Sequence, residues 1–400
     1  MRPPVSPATS SMTACLLLSA SLLQGTGDKA SAADDDLLQR AIVSMGDTAR
    51  LQRALAKARR GEPVTIGSIG GSITQGASAT TEENRYPNRL AAWWGKTFPG
   101  TPVKLANAGI GATGSNYGAL RVQRDLLSAN PDFVVVEYGV NDGNSEECAE
   151  TLEGVVRQIL NHPNQPAVLI LFMMHQNGAN AQEWHGKVGA HYSLPMVSFR
   201  DAFWPEIEAG RMKWEDVMAD VVHPNDRGHA AMADFVEQVC ARVLQDLPAD
   251  DALPEPGPVP APLLTDAFEH VALLEGEDLK PVANDGWVLD PDPIYNGHQC
   301  WRADQPGSAV EFEIDGRIIM FMEFHVRGPM GMGRVQVDDR EPIVVDSWFD
   351  QTWGGFRLTR ELARDLAPGK HRVRVELLAE KHADSTGNEF RILGLGAAGL

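Results

Sequence analysis

The first half of the chain alternates between unbroken apolar runs and stretches of helical period. "TARLQRALAKARRGEP" sets Leu51 and Leu55 on one face before Gly61, which predicts a helix that stops at that glycine. "VTIGSIGGS" follows at once, a β-branched run breaking into glycines as a buried strand does at a tight turn. Further strands are predicted over 103–107, 133–137 ("FVVVE"), 168–173 ("VLILFM") and 196–199, with helical stretches between them. A last helix is predicted over about 227–247, where Met232, Phe235, Val236, Val239, Val243 and Leu247 recur at helical steps. Continuous apolar strands alternating with helices predict a parallel α/β sheet covered on both faces.

The pattern then changes. "LPADDALPEPGPVPAP" is proline-rich and without period, which predicts a semi-rigid extended linker over 248–262. Beyond it, in 263–400, the period falls to two: in "HRVRVELL" Val373, Val375 and Leu377 alternate with Arg372, Arg374 and Glu376, and "VEFEIDGRIIMFMEF" joins two strand-like runs through Asp315 and Gly316. An all-β, two-sheet sandwich is the economical architecture for this part.

Composition agrees with two soluble domains: 400 residues, 43% apolar and 22% charged. The formal net charge of −19 argues against nucleic acid as a partner, since gripping a phosphate backbone needs clustered Lys and Arg. At the N-terminus Arg2, the apolar run "ACLLLSASLL" and Ala30-Ser31-Ala32 predict a signal peptide over 1–32 and a secreted or periplasmic protein. That run is too short to span a bilayer, and no later stretch is long enough. Cys148, Cys240 and Cys300 remain after the signal, a sparse odd set that predicts no disulfide framework and no metal site.

Candidate chemistry gathers where the strands end. Ser72 stands on the glycine turn after the first strand, the place for an exposed nucleophile, although a helix N-cap is its plain alternative. A serine needs a base, and "DVVHPNDRGH" offers Asp220 and His223 just before the last helix. That spacing lets the carboxylate accept from Nδ1–H while Nε2 faces Ser72. The alternative there is a surface capping segment: Asn225 or Asp226 suits the helix start, and His229 reads as structural. "YGVNDG" ends the strand at 133–137 with Asn141, whose amide can donate to an oxyanion beside the Ser72 N–H. Asp142 reads as a turn-fixing residue and Glu137 as one paired near the strand end. "NAGIGATGS" reaches the same edge and offers a third backbone donor, Gly111 or Ala112.

These four stretches, in this order, resemble the SGNH (GDSL-like) hydrolase superfamily over about 37–247. The resemblance implies a three-layer α/β/α flavodoxin-like domain with a parallel sheet, followed here by a β-sandwich of jelly-roll or lectin-like type. It also implies a serine esterase with Ser72, Asp220 and His223 as catalytic residues. Ser72 N–H, Asn141 and Gly111 would form the oxyanion hole, with Ala112 as the alternative to Gly111, and no cofactor or metal is required. Two positions depart from the family pattern: Gly71 stands where an Asp is common, and the usual donor glycine, five residues after the Asn, is Ala112.

Gly109-Ile110-Gly111-Ala112-Thr113-Gly114 also matches the dinucleotide-binding fingerprint, with Glu137 as its ribose acid. It sits on the second strand of the unit rather than the first, and a nucleotide site would leave Ser72, Asn141, Asp220 and His223 unexplained. The substrate class rests on export and on Trp287, Trp301, Trp348 and Trp353 in the second domain. Tryptophan faces stack on sugar rings, and at least two of the four are expected in the core instead. "DSWFDQTWGGF" is the candidate exposed platform. Deacetylation of a polysaccharide or oligosaccharide is therefore the leading expectation. A lipase-like or thioester hydrolase lacks the long apolar lid it would want, and a carbohydrate-binding protein with an inactive hydrolase domain would not need the intact Ser, Asn, Asp and His set.

Overall fold

The computed structural model describes residues 36–249 and 252–400, so the expected signal segment, 1–32, lies outside the described residues. Six strands form the first sheet: β1 (Ile42–Ser44), β2 (Val64–Gly70), β3 (Val103–Gly109), β4 (Phe133–Glu137), β5 (Ala167–Phe172) and β6 (Met196–Ser198). Their order is β1-β6-β5-β4-β2-β3. Strands β2 to β6 are parallel and β1 pairs antiparallel with β6. The parallel part has the flavodoxin-like order, in which the chain winds outward both ways from β2 and leaves a crevice at the carboxyl ends beside it. The four later predicted strands are present with ends moved by a residue or two. The edge strand β1 was too short to leave a period.

The helices are α1 (Ala49–Arg59), α2 (Ser72–Gln75), α3 (Tyr86–Thr97), α4 (Ser115–Asp125), α5 (Glu146–Leu160), α6 (Gln182–His191), α7 (Phe199–Glu208) and α8 (Asp226–Gln245). Strand residues divide by parity between two cores. Phe133 and Val135 pack with α1, α3, α7 and α8, whereas Val134 and Val136 pack with α4, α5 and α6. No helix among the described residues is long and apolar enough to cross a membrane.

The second domain is a pair of antiparallel sheets. Its strands are β7 (Val271–Glu275), β8 (Pro281–Asp285), β9 (Val288–Pro291), β10 (Gln299–Ala303), β11 (Ala309–Asp315), β12 (Ile318–His325), β13 (Met332–Val337), β14 (Ile343–Asp346), β15 (Phe356–Ala363), β16 (Lys370–Leu377) and β17 (Phe390–Ala398). One sheet runs β15-β12-β17-β10-β9 with β7 also on β17, and the other runs β14-β13-β16-β11-β8. The turn at Asp315 and Gly316 carries the chain from one sheet to the other.

The sandwich does not hang from the first domain; it shares a core with it. On β12, Ile319 and Phe321 point into the sandwich, while Ile318, Met320, Met322 and Phe324 join the core of α4 and α5. All of β12 is buried, which is why "IIMFMEFH" lacks the alternation of a sandwich strand. On β17, a Cβ at Gly396 would come 2.4 Å from Leu120 of α4, so the glycine lets helix and sheet touch. The molecule is thus layered helices, sheet, helices, sheet, sheet.

The proline-rich segment lies against this assembly. Arg53 pairs with Glu255 at 2.9 Å, and Arg157 Nη1 donates to Pro260 O at 2.7 Å. Buried Glu153 of α5 then accepts from the backbone N–H groups of Leu263 (2.6 Å), Leu264 (2.8 Å) and Thr265 (3.0 Å), fixing the entry to the sandwich. Cys148, Cys240 and Cys300 are all free thiols.

Each of the four β12 side chains facing the helices contributes about 1.5–3 kcal/mol by burial. A chain ending at residue 262 is therefore expected to expose the outer faces of α4 and α5 and to aggregate. Size-exclusion chromatography and dye binding check this; a monomeric, cooperatively melting fragment would contradict it.

Candidate active site

The turn that carries Ser72 is built from glycines. β2 ends at Gly70, Gly71 takes the N-cap position of α2, and Ser72 becomes the first helical residue. Ser72 is therefore not a cap, and its Oγ lies 2.8 Å from His223 Nε2. His223 Nδ1 lies 2.8 Å from Asp220 Oδ2, and Asp220 Oδ1 accepts from the backbone N–H groups of Val222 and His223, both at 2.8 Å. Burial alone would raise the Asp220 carboxyl. The two backbone donors and the imidazole outweigh it and hold the group below the ordinary carboxylate range.

The loop that carries this pair is tied at several points. Ala219 N–H donates to His223 O at 2.8 Å, and Trp214 Nε1–H donates to Asp220 O at 2.7 Å. Asn225 caps α8 through Arg227 N–H and Gly228 N–H, both at 3.0 Å. Asp226, the other candidate cap, instead takes Thr80 N–H (2.8 Å) and Asn84 Nδ2–H (3.0 Å) from the loop behind Ser72.

Asn141 reaches the same edge from β4. A Cβ at Gly71 would come 2.0 Å from Asn141 Oδ1, so the amide lies directly against the nucleophile turn. In this chain a side chain at position 71 would require the Asn141 amide to shift. In the third loop Gly111 N–H donates to Gln75 Oε1 at 3.0 Å. Ala112 has φ 55°, a left-handed conformation ordinarily given to glycine. The structure thus brings together Ser72, Asp220, His223, Asn141 and the Gly111–Ala112 loop.

Two of the sequence expectations change. Glu137 is not paired with a cation. It is fully buried, Oε1 accepts only Gly139 N–H at 3.1 Å, and Oε2 has no partner among the described residues. Burial, aided by Asp142, pushes its carboxyl up to about 8 against the opposing Gly139 hydrogen bond. Asp142 is structural, but across the fold rather than within its turn: Oδ1 accepts Ser115 N–H at 2.8 Å, at the start of α4. Together these facts remove the dinucleotide alternative. A carboxylate already occupies the helix start that would hold a pyrophosphate, and the acid meant for a ribose is sealed in the core.

Three positioning contacts were not read from the sequence. His175, in the loop after β5, sits with Nε2 3.0 Å from Val140 O, and Gln176 N–H donates to Val221 O at 2.9 Å. One loop thus braces both the Asn141 turn and the Asp220–His223 turn. His229 sets Nε2 3.0 Å from Ala77 O and Nδ1 3.4 Å from Tyr86 N, and it stacks on Tyr86. Burial lowers its imidazole, in keeping with a neutral ring that accepts at Nδ1. Its place on the apolar face of α8 was the available signal.

The sandwich packs beside the Asn141 and Ala112 loops. A cleft of about 420 Å³ is lined by Ala112, Gly114 and Asn141 on one wall and by Phe356, Thr359 and Arg360 on the other. Asn116 Nδ2–H donates to Thr359 O at 2.8 Å across it. Phe356 packs against Phe349 and Trp353, with ring centroids 4.9 and 5.5 Å away. Trp353 is 59% exposed, whereas Trp287 and Trp301 are buried in the core. Trp348 stacks on His382 at 3.8 Å.

The sequence pattern of the GDSL-like lipase/acylhydrolase family matches residues 68–231. The crystal structure of a two-domain esterase active on acetylated mannans is 31% identical at a TM-score of 0.84, covering 90% of this chain and 98% of its own. A two-domain esterase of the same description, co-crystallized with mannopentaose, is 32% identical at a TM-score of 0.83, with the same 90% and 98% coverage. Among curated proteins, none matches by sequence.

Two outcomes follow from the site. Gly71→Ala should displace the Asn141 amide and lower turnover of nitrophenyl acetate by about 10²–10³ while the melting temperature changes little; unchanged turnover would show that the amide is not held there. Glu137 is raised in the fold, so its contribution is complete below the unfolded carboxylate range and is lost as pH rises toward about 8. Each pH unit in that window costs up to about 1.4 kcal/mol. Glu137→Gln should therefore flatten the fall in melting temperature as pH rises toward about 8, which thermal scans from mildly acidic pH up to about 8 will read.

Proposed function

Starting from a chain that belongs to the GDSL-like lipase/acylhydrolase family, the SGNH hydrolases, we propose a secreted or periplasmic carbohydrate acetylesterase working by Ser-His-Asp acyl transfer. The observation that carries the mechanism is the unbroken relay from Ser72 Oγ through His223 to Asp220, with 2.8 Å at each step. His223 Nε2 takes the Ser72 proton as Oγ attacks the acetyl carbonyl, and Asp220 holds the ring in the tautomer that leaves Nε2 free to accept. The oxyanion rests against Ser72 N–H, Asn141 Nδ2–H and a third amide. That third donor is Ala112 N–H: the Gly111 N–H is engaged by Gln75, and Ala112 combines the family's donor position with a glycine-like φ of 55°. His223 then returns the proton to the departing sugar hydroxyl. A water, activated by the same imidazole, releases acetate.

The substrate class rests on the relative that shares both domains and is active on acetylated mannans. In this chain the cleft beside Asn141 leads to Phe356, Phe349 and the exposed Trp353, an aromatic surface on which a sugar ring can stack. The "DSWFDQTWGGF" segment is therefore the candidate platform, joined to the cleft through Phe356. Acetylated mannan is the first substrate to test, with acetylated xylan and pectin beside it.

Acetate release from these polymers and from nitrophenyl acetate should depend wholly on Ser72. Ser72→Ala should abolish it, and Asn141→Ala should lose about 10²–10³ in turnover. Trp353→Ala should raise KM on the polymer and leave the small ester unaffected. Absence of Ser72-dependent acetate release from any ester defeats the esterase reading, and equal KM values on polymer defeat the platform.

A further inference from the structure

We propose that Arg121 is a positioning residue of the active site, a buried guanidinium that locks the nucleophile turn and both oxyanion loops into one register. The inference rests on the acyl-transfer reading of Ser72. Arg121 lies in the middle of α4 and is fully buried. Nη1 donates to Ala108 O at 2.7 Å, and Nη2 donates to Gly70 O and to the Tyr138 hydroxyl, both at 3.3 Å. These acceptors belong to the carboxyl ends of β3 and β2 and to the residue following β4. Gly70 leads directly through Gly71 to Ser72, Ala108 leads to Ala112, and Tyr138 leads to Asn141, whose N–H it accepts at 3.1 Å. One side chain therefore touches the root of every loop that carries a reacting or stabilising group.

Stability alone gives little reason for a charge in this place. Replacing a buried ion pair with apolar side chains of similar volume is often neutral or stabilising. What a planar fork supplies instead is fixed direction, since its N–H vectors hold separate acceptors at set angles, which an ammonium cannot do. The fork also sets a permanent positive charge at the strand ends whose loops receive the oxyanion, inside a region shielded from water. Its charge is balanced outward. Asp125 lies 3.2 Å from Arg121 Nη1 and 2.5 Å from Arg124 Nε; Arg124 pairs with Glu275 at 2.6 Å, and Glu275 pairs with Arg357, which reaches Asp292 at 3.1 Å. This alternating chain runs from the strand ends into the sandwich, so the second domain is tied to the same fork.

The test compares full-length wild type, Arg121→Met, Arg121→Lys and the core control Val156→Ala on nitrophenyl acetate, with the folded fraction and melting temperature of each measured. Arg121→Met should lower kcat by about tenfold to a hundredfold per folded molecule with KM within about twofold. Arg121→Lys, which keeps the charge but not the fork, should lie between it and wild type. A kcat for Arg121→Met within about threefold of wild type, or a loss no larger than that of Val156→Ala at equal loss of melting temperature, overturns the inference. If Arg121→Met does not fold, Arg121→Lys decides: a kcat equal to wild type overturns the inference, and a fall at unchanged KM supports it. Ser72→Ala run alongside separates the two claims. Hydrolysis that survives Ser72→Ala removes the acyl-transfer reading and the inference with it, whereas Ser72-dependent hydrolysis at wild-type rate in Arg121→Met removes the inference alone.

Discussion

Helices α4 and α5 are covered by a sheet on each side, and the remaining structure follows from that constraint. Where these helices face the two sheets they are shielded from water, and a polar group placed there needs a partner within the protein. Arg121 is used on the strand ends and Glu153 on the backbone entering the sandwich. Gln158 donates to Ala119 O at 2.8 Å and to Phe268 O at 2.7 Å, joining α5 to α4 and to the second domain. Close packing likewise demands a residue without a side chain at Gly396, where Leu120 fills the space. The two domains are thus one folded body by packing, and the sandwich wall of the cleft has a fixed place relative to Asn141.

The reactive groups converge because of strand order rather than sequence proximity. β2 lies between β3 and β4, so the loops after all three open onto one crevice at the point where the winding direction reverses. Gly71 then lets Asn141 lie against the turn that presents Ser72. The Asp220–His223 pair arrives from the start of α8 and is braced by Gln176 from the loop after β5, while His175 of the same loop braces the Asn141 turn. Rigid elements hold every contributor, as a site that must bind a transition state more tightly than its substrate requires.

Much of this was legible in the residues. Unbroken apolar strands meant a sheet buried on both faces, and Ser72, Asn141 and the Asp220–His223 spacing were recognisable because their chemistry is local: a turn, an amide, a three-residue step. What escaped was information carried by partners distant in sequence. The run "IIMFMEFH" did carry the sign that both faces of a sandwich strand were covered, yet nothing in it could say by what. Arg121 sits in an amphipathic helix where a charge would ordinarily face solvent, and its acceptors, Ala108 O, Gly70 O and the Tyr138 hydroxyl, stand on other elements of the fold. Glu137 reads from the sequence as an acid paired near the strand end, and the partner the fold supplies is one backbone N–H, that of Gly139.

Arg121 and Glu137 lie at the same strand ends, and their opposite fates complement one another. Two backbone carbonyls, a phenol and a carboxylate surround the guanidinium. The carboxyl has one N–H for company, and burial pushes it up to about 8, so near neutral pH it carries its proton. A charged Glu137 would set a negative field against the oxyanion proposed to form at these loops, and in a shielded interior that field would act at greater strength than in water. Keeping the carboxyl neutral leaves the positive ends of the donor N–H groups and the Arg121 charge unopposed from that side. The same burial that makes the layer rigid therefore sorts its ionisable groups into those that aid the developing negative charge and those that stay neutral beside it.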